Sequence, residues 1–242
     1  MIIEAIFLSN KAERFKNEIW EVGTRLTSIM DRMRKALKNN DNLIMKRALR
    51  SLVSAQGRLL QAYFSLDSSY KVPPDARESW DHFLAKNQIV NQLNPSIDPS
   101  DISSELGIGS VRFDVIVKID GEYVVVEAET CAPDCVKKME KIKETVNLFN
   151  SGELDRSIEV LDDEDTKKVL LGIKRQLQAK KPWRVIFAVT SEPNPSTLEN
   201  IKKAGDFLAC PEVYYVNPVP KEGSFEVSPN LLQNVGLAQA ST

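Results

Sequence analysis

Two runs rich in β-branched residues, 111–119 and 122–130, are separated only by Asp120-Gly121. Asp-Gly between such runs predicts a two-residue β-hairpin, because a type I′ turn needs positive φ at both central positions. A two-residue loop also fixes register. Ile119 faces Glu122, Ile116 faces Val125, Asp114 faces Glu127 and Arg112 faces Glu129. Side chains alternate between the two faces of a strand. One face therefore carries Phe113, Val115, Val117, Ile119, Val124, Val126 and Ala128, and is read as a core face. The other carries Arg112, Asp114, Glu127 and Glu129 at one end, with Ile116 and Val125 in the middle.

Opposed carboxylates on paired strands have Cβ atoms only about 4.5–5.5 Å apart, and like charges there destabilise the pair. A hard divalent cation held by carboxylate oxygens would compensate, and Mg²⁺ commonly uses one or two carboxylates together with substrate phosphates. Such an ion could polarise a phosphoryl oxygen and acidify an attacking water. The plainer alternative is a solvated acidic surface with Arg112 paired to Glu129. Against it, Glu127 ends the run Tyr-Val-Val-Val with Ile116 beside it, so that end of the face is expected to be partly covered.

Arg112-Phe113-Asp114, the hairpin, and Val126-Glu127-Ala128-Glu129 resemble the motif of the PD-(D/E)XK phosphodiesterase superfamily, the restriction-endonuclease-like fold. The resemblance implies that Asp114 and Glu127 bind Mg²⁺ (or Mn²⁺). Glu129 stands at the position of the lysine that activates water, as it does in some restriction enzymes, where it acts as a base or an extra ligand. Phe113 stands where proline is usual. In other members of the superfamily the lysine has moved to the following helix, where Lys137, Lys138 and Lys141 are the candidates. Asp81 or Glu78 could match the acidic residue often found on the helix before the sheet.

The rest of the chain divides by charge. The total of 32 Lys/Arg against 34 Asp/Glu is near balance, but residues 1–95 hold 15 basic against 10 acidic side chains and residues 96–242 hold 17 against 24. In the first part, Phe15, Ile19, Val22, Leu26, Ile29, Met33 and Leu37 trace one seam of a helix over 11–38, with Ser9 and Asn10 as candidate caps. Asn39-Asn40-Asp41 offers a turn and a new cap. A second helix over 42–64 has a stripe of Leu49, Leu52, Val53, Leu59, Leu60 and Tyr63, so the two fold back as an antiparallel hairpin. Arg32, Arg34, Lys35, Lys38, Lys46, Arg47, Arg50 and Arg58 cluster around its turn, opposed in that stretch only by Asp41. Such a cluster suits a DNA phosphate backbone, since neutralising phosphates releases counterions. A solvated helix face is the alternative reading. The heptad-like seam also permits a homodimer.

A third helix is expected from about Asp75, a polar connection over 94–110 whose residues 104–110 are the nearest candidate for a first strand, then the hairpin. Helices over 134–149 and 164–179, a buried strand over 183–190, a helix opened by the Ser196–Glu199 capping box and running to Leu208, and a strand over 212–216 follow. Taken together, these segments predict an α/β (α+β) chain: a helical region over 1–72, a restriction-endonuclease-like α/β sandwich with a mixed central sheet over 73–228, and a flexible tail over 229–242.

Other chemistry has little support. His82 is the only histidine and reads as a packed or surface residue. Cys131, Cys135 and Cys210 are too few for the usual four-thiolate site and suggest a reducing, cytoplasmic setting. The opening apolar run 2–8, broken by Glu4, is too short to span a membrane and lacks a signal peptide's layout. No P-loop or dinucleotide fingerprint is present. The leading expectation is a Mg²⁺-dependent DNA nuclease. Its rivals are an inert nuclease-fold DNA-binding or assembly protein, and a helical oligomerisation module with an α/β scaffold.

Overall fold

The computed structural model describes residues 2–66, 69–75, 78–130, 132–206, 208–219 and 224–234, and falls into two units, 1–80 and 81–242. In the first, α1 (Ile2–Lys38) and α2 (Asn42–Leu66) pack against each other. α1 begins well before residue 11, so Ser9 and Asn10 lie inside it and do not cap it. Asn40 takes the left-handed conformation at the turn, and Asp41 Oδ1 caps α2 by accepting from the backbone N–H groups of Leu43 and Ile44 at 3.0 and 2.9 Å.

The seam between the helices is narrower than the apolar pattern suggests. Val22 and Ile29 of α1 pack with Ala48 and Ala55 of α2, flanked by Leu26, Met33 and Leu59. Leu49, Leu52 and Val53, expected on the buried stripe of α2, are exposed, as are Ile19 and Leu37 of α1. The separation of two helix axes depends on the side chains at the contact. Alanines there bring the helices close and leave the larger residues on the flanks. At the open end Tyr63 stacks among Phe15, Tyr70 and Trp80, with ring centroids 6.3, 5.5 and 5.2 Å away.

The second unit is an α/β domain built on a six-stranded mixed sheet ordered β1 to β6. It follows α3 (Trp80–Leu93), which starts five residues later than expected, and a 3₁₀ turn at Pro99–Asp101. β1 (Ile102–Ile108), β2 (Val111–Ile119) and β3 (Glu122–Glu129) are antiparallel neighbours. β4 (Trp183–Val189) is parallel to β3, β5 (Ala209–Val219) is parallel to β4, and β6 (Ser224–Val227) closes the order antiparallel to β5. Asp120 and Gly121 both have positive φ, and the register runs from Ile119↔Glu122 to Val115↔Val126 as the turn requires.

The helices α4 (Ala132–Ser151), α5 (Asp155–Glu159), α6 (Glu164–Gln178) and α7 (Pro195–Ala204) lie between strands β3 and β5 in sequence. Ile116, Tyr123, Val125, Trp183, Val185, Phe187 and Val189 of the sheet form one core with Cys135, Met139, Ile142 and Phe149 of α4 and Leu170, Ile173 and Leu177 of α6. The face read as half-polar is therefore the helix-covered face. The opposite face, with Val115, Val117, Val124 and Val126, is buried too. Asn194, not Ser196, caps α7 by accepting from Thr197 N at 2.9 Å, with Pro195 in the first turn. In the segment expected to be a loose tail, Leu232 is buried in a 3₁₀ turn at Leu231–Asn234, and Asn230 Oδ1 accepts from Val213 N. Residues 235–242 and Cys131 lie outside the described residues.

Candidate functional site

Beyond Val115↔Val126 the β2–β3 ladder stops, although β1 stays paired to β2 as far as Ile108↔Val111 and β3 to β4 as far as Glu129↔Val189. The sheet splits there, and the backbone groups facing the gap need new partners. Two acidic side chains supply them. Ala128 N donates to Asp114 Oδ2 at 2.9 Å, and Asp114 N donates to Glu127 Oε2 at 3.4 Å. The split also ends the regular alternation of β2. Opposite Asp114, Glu105 of β1 has φ +57°, and the Phe113 ring lies 5.3 Å from Trp183 on the helix-covered side, not with Val115 and Val117. Arg112 pairs with Glu105 at 2.7 Å instead of Glu129.

Glu127 is fully buried, and its Oε1 has no hydrogen-bond partner among the described residues. Its other oxygen meets Lys138 Nζ of α4 at 2.9 Å, while that ammonium also donates to the carbonyl of Arg112 at 2.6 Å. Burial and the adjacent Asp114 carboxylate push the Glu127 pKa well above the usual range, against the pull of Lys138. Lys138 pays for its own burial, but Glu127, Asp114 and Glu129 more than offset this and hold the ammonium charged. Glu129 lies in the same field. Burial first, then Asp114, carries its pKa from 4.5 to about 7, opposed by Lys138.

Of the three candidate lysines on α4, the fold selects Lys138. Lys137 is exposed and ion-pairs with Asp134 at 3.6 Å, and Lys141 faces solvent. The spacing along α4 explains the choice: Lys138 neighbours Met139 and Cys135 on the buried side, and its stem reaches the split from there. The three carboxylates expected as common ligands do not share one coordination sphere. No group of three His, Cys, Asp or Glu side chains does so among the described residues. Asp114 and Glu127 meet at the split, each with one oxygen on a backbone N–H group, while Glu129 bears on them through its charge.

His82 was not expected here. From α3 its Nε2 lies 2.8 Å from Thr130 Oγ1, one residue beyond β3. Burial lowers its pKa, the charges of Asp114 and Asp81 raise it, and buried Lys86 lowers it further. Asp81 itself is exposed, and Glu78 accepts from Asp75 N in the turn before α3. Only a tertiary contact brings His82 to the site, and its sequence neighbours Trp80 and Phe83 give no sign of this. Cys135 is a buried core residue and Cys210 is exposed.

On the hairpin, Lys35, Lys38, Lys46 and Arg47 are exposed near the turn, and Arg34 pairs with Asp31 at 3.2 Å. Arg58 does not belong with them. It crosses to α1 and meets Glu18 and Glu21 at 2.6 and 2.9 Å, acids outside the stretch in which only Asp41 opposed the cations.

Fold and site together define an α/β domain with a carboxylate–lysine cluster lodged in a split sheet. No protein-family model matches the chain, and no curated protein matches its sequence. Among solved structures, Pyrococcus furiosus SfsA in complex with Ca²⁺ aligns at a TM-score of 0.28 and 11% identity, over 62% of this chain and 60% of that one. The alignment thus spans less than two thirds of SfsA. No helix among the described residues is long and apolar enough to cross a membrane.

Proposed function

We propose that the protein is a Mg²⁺-dependent nuclease of the PD-(D/E)XK type, hydrolysing DNA phosphodiester bonds at Asp114, Glu127, Glu129 and Lys138. One observation carries the reading: a fully buried Glu127 beside Asp114 in the sheet split, with an oxygen that no described residue satisfies. A buried carboxylate oxygen is costly to leave unpaired. Two hard carboxylate oxygen donors suit Mg²⁺, which completes its shell with water and substrate phosphate. Asp114 and Glu127 would hold the ion, which supplies Lewis acidity at the scissile phosphate when bound. Lys138 supplies a fixed positive charge next to that phosphate, taking the place of the motif lysine. Glu129, whose carboxyl pKa is pushed up to about 7 by burial and Asp114 in the metal-free chain, would accept a proton from the attacking water once the cation offsets the Asp114 charge. His82, within the field of Asp114, meets the Thr130 hydroxyl at 2.8 Å next to Glu129.

Supercoiled plasmid incubated with the wild-type chain in Mg²⁺ or Mn²⁺ is expected to be nicked and linearised. Asp114→Asn and Glu127→Gln should each lower the rate at least 100-fold without loss of DNA binding. A wild-type chain that binds DNA but never cuts it with either metal rejects the nuclease and leaves the inert-fold alternative.

A second reading, association through the helical hairpin, is favoured by a specific feature. Met30 and Leu37 of α1 and Leu49, Leu52 and Val53 of α2 are between 37% and 71% exposed. An apolar row of this kind on a helix pair marks an interaction surface.

A further inference from the structure

The two helices of the hairpin do not expose the same chemistry on both sides. On α1, Ile19, Met30 and Leu37 are spaced by eleven and seven residues, so they form one row displaced in one rotational sense from the Val22–Ile29 seam. On α2, Leu49, Leu52 and Val53 are displaced in the same sense from Ala48 and Ala55. Two antiparallel helices are related by a two-fold axis normal to their common plane, so equal displacements fall on one side. The other side is cationic. There Arg25, Ser28 and Arg32 of α1 face Arg50, Ser51 and Ser54 of α2 across a groove of about 460 Å³ floored by Ile29 and Ala55. No carboxylate lines it. Asp31 lines the adjoining hollow beside Ser28 and Arg32 and is engaged by Arg34 at 3.2 Å, while Glu18 and Glu21, further from the turn, are engaged by Arg58.

We propose that this groove is a binding site for the backbone phosphates of nucleic acid, with Arg25, Arg32 and Arg50 as charge partners and Ser28 and Ser54 as hydroxyl donors, Ser51 lining the wall with its own hydroxyl turned to the Arg47 carbonyl at 3.0 Å. Guanidinium groups present planar forks matched to phosphate oxygens, and hydroxyls add neutral donors that fix position. Three guanidinium groups on two helices suit a run of phosphates, and Lys35 lines the adjoining hollow with Ser28 and Arg32. The site includes Arg25, which lies outside the basic run around the turn, and excludes Arg58. The inference deepens the nuclease reading by naming a surface that holds its substrate, but binding and cutting fail separately.

The test uses the full chain in EDTA, so that nothing is cut, with a fluorescent DNA duplex followed by anisotropy at several salt concentrations. The Arg25→Gln/Arg32→Gln/Arg50→Gln variant is expected to bind at least about tenfold more weakly. Its slope of log affinity against log salt should fall by about 2–3, since each phosphate contact contributes about 0.9. Ser51→Glu, a single change on the groove wall that puts a carboxylate among the arginines, should weaken binding in the same direction, and circular dichroism checks that both variants fold. Wild-type affinity and slope in both variants would overturn the site. So would displacement of the duplex by inorganic phosphate at an ionic strength where chloride has no effect, which would identify a free-phosphate site. Arginine-dependent binding by a chain that never cuts DNA would leave this inference standing and remove the nuclease. Cutting by the wild type, with unchanged binding in both groove variants, would do the reverse.

Discussion

Glu127 is the residue whose environment asks most of the fold. Its carboxyl is enclosed, faces Asp114, and has Lys138 as its one opposite charge within hydrogen-bond reach. Removing one partner of a buried pair costs about 3–5 kcal/mol. Lys138 is partly exposed, so Lys138→Met should lose about 3 kcal/mol at pH 8 by urea denaturation. The loss should shrink at pH 5, where Glu127 can take up a proton instead. An equal loss at both values would mean that Lys138 acts by packing, not by charge. Glu129 has a folded pKa of about 7 against an ordinary 4.5. Between those values the folded chain holds a proton that the unfolded chain has released. The stability contributed by this group is therefore full below pH 4.5 and falls as pH rises through 7. Melting temperature in EDTA should decline from pH 5 to pH 8, and Glu129→Gln should flatten that decline. A wild-type curve that rises over this interval would contradict the assignment.

At the scale of elements, α6 fixes the closed end of the hairpin from which the split opens. The buried Gln176 amide accepts from Tyr123 N at 2.7 Å and donates to the carbonyls of Tyr123 and Pro182 at 3.2 and 2.9 Å. Gln176→Leu strands those backbone groups and should cost about 3 kcal/mol in denaturant unfolding, since each unsatisfied buried group costs about 1–3 kcal/mol. A loss below 1 kcal/mol would show that water replaces the amide. One turn earlier Gly172 lets α6 approach the sheet. A Cβ there would sit 2.3 Å from the Tyr123 ring, so Gly172→Ala should destabilise despite alanine's better helix propensity.

The hairpin register was legible because Asp-Gly admits one turn geometry, and that register did place Asp114 and Glu127 at the same level. The split was not legible. Counting along paired strands assumes that the ladder continues, and only the structure shows carboxylates replacing its last hydrogen bonds. Apolar spacing located α1 and α2 but misplaced the buried stripe of α2, because alanine at a close helix contact is as well buried as leucine and carries a weaker pattern. Glu18 and Glu21 reach Arg58 only through the antiparallel fold-back, so a window running from Arg32 to Arg58 could not show the pairing. α5, five residues long, and β6, four residues long, lie below the length at which periodicity is informative.

At the scale of the molecule, the charge division has a local expression in each part. Three cations of the first part line one groove of the helix pair, and part of the acidic excess of the second lies in a sheet split beside a lysine. The exposed apolar row on the other side of the hairpin predicts self-association: the full chain should sediment above its monomer mass of 27.2 kDa, and Leu49→Glu/Val53→Glu should return it to monomer. A monomeric wild type would reject self-association through that row.

The central claim is that Asp114 and Glu127 hold a catalytic cation in the split between β2 and β3. A crystal of the protein soaked in Mn²⁺ tests it by anomalous difference density. A single peak between the Asp114 and Glu127 carboxylates, absent from a Glu127→Gln crystal, is the expected result. Clean density with Lys138 still seated on Glu127 and no peak in the split would contradict it.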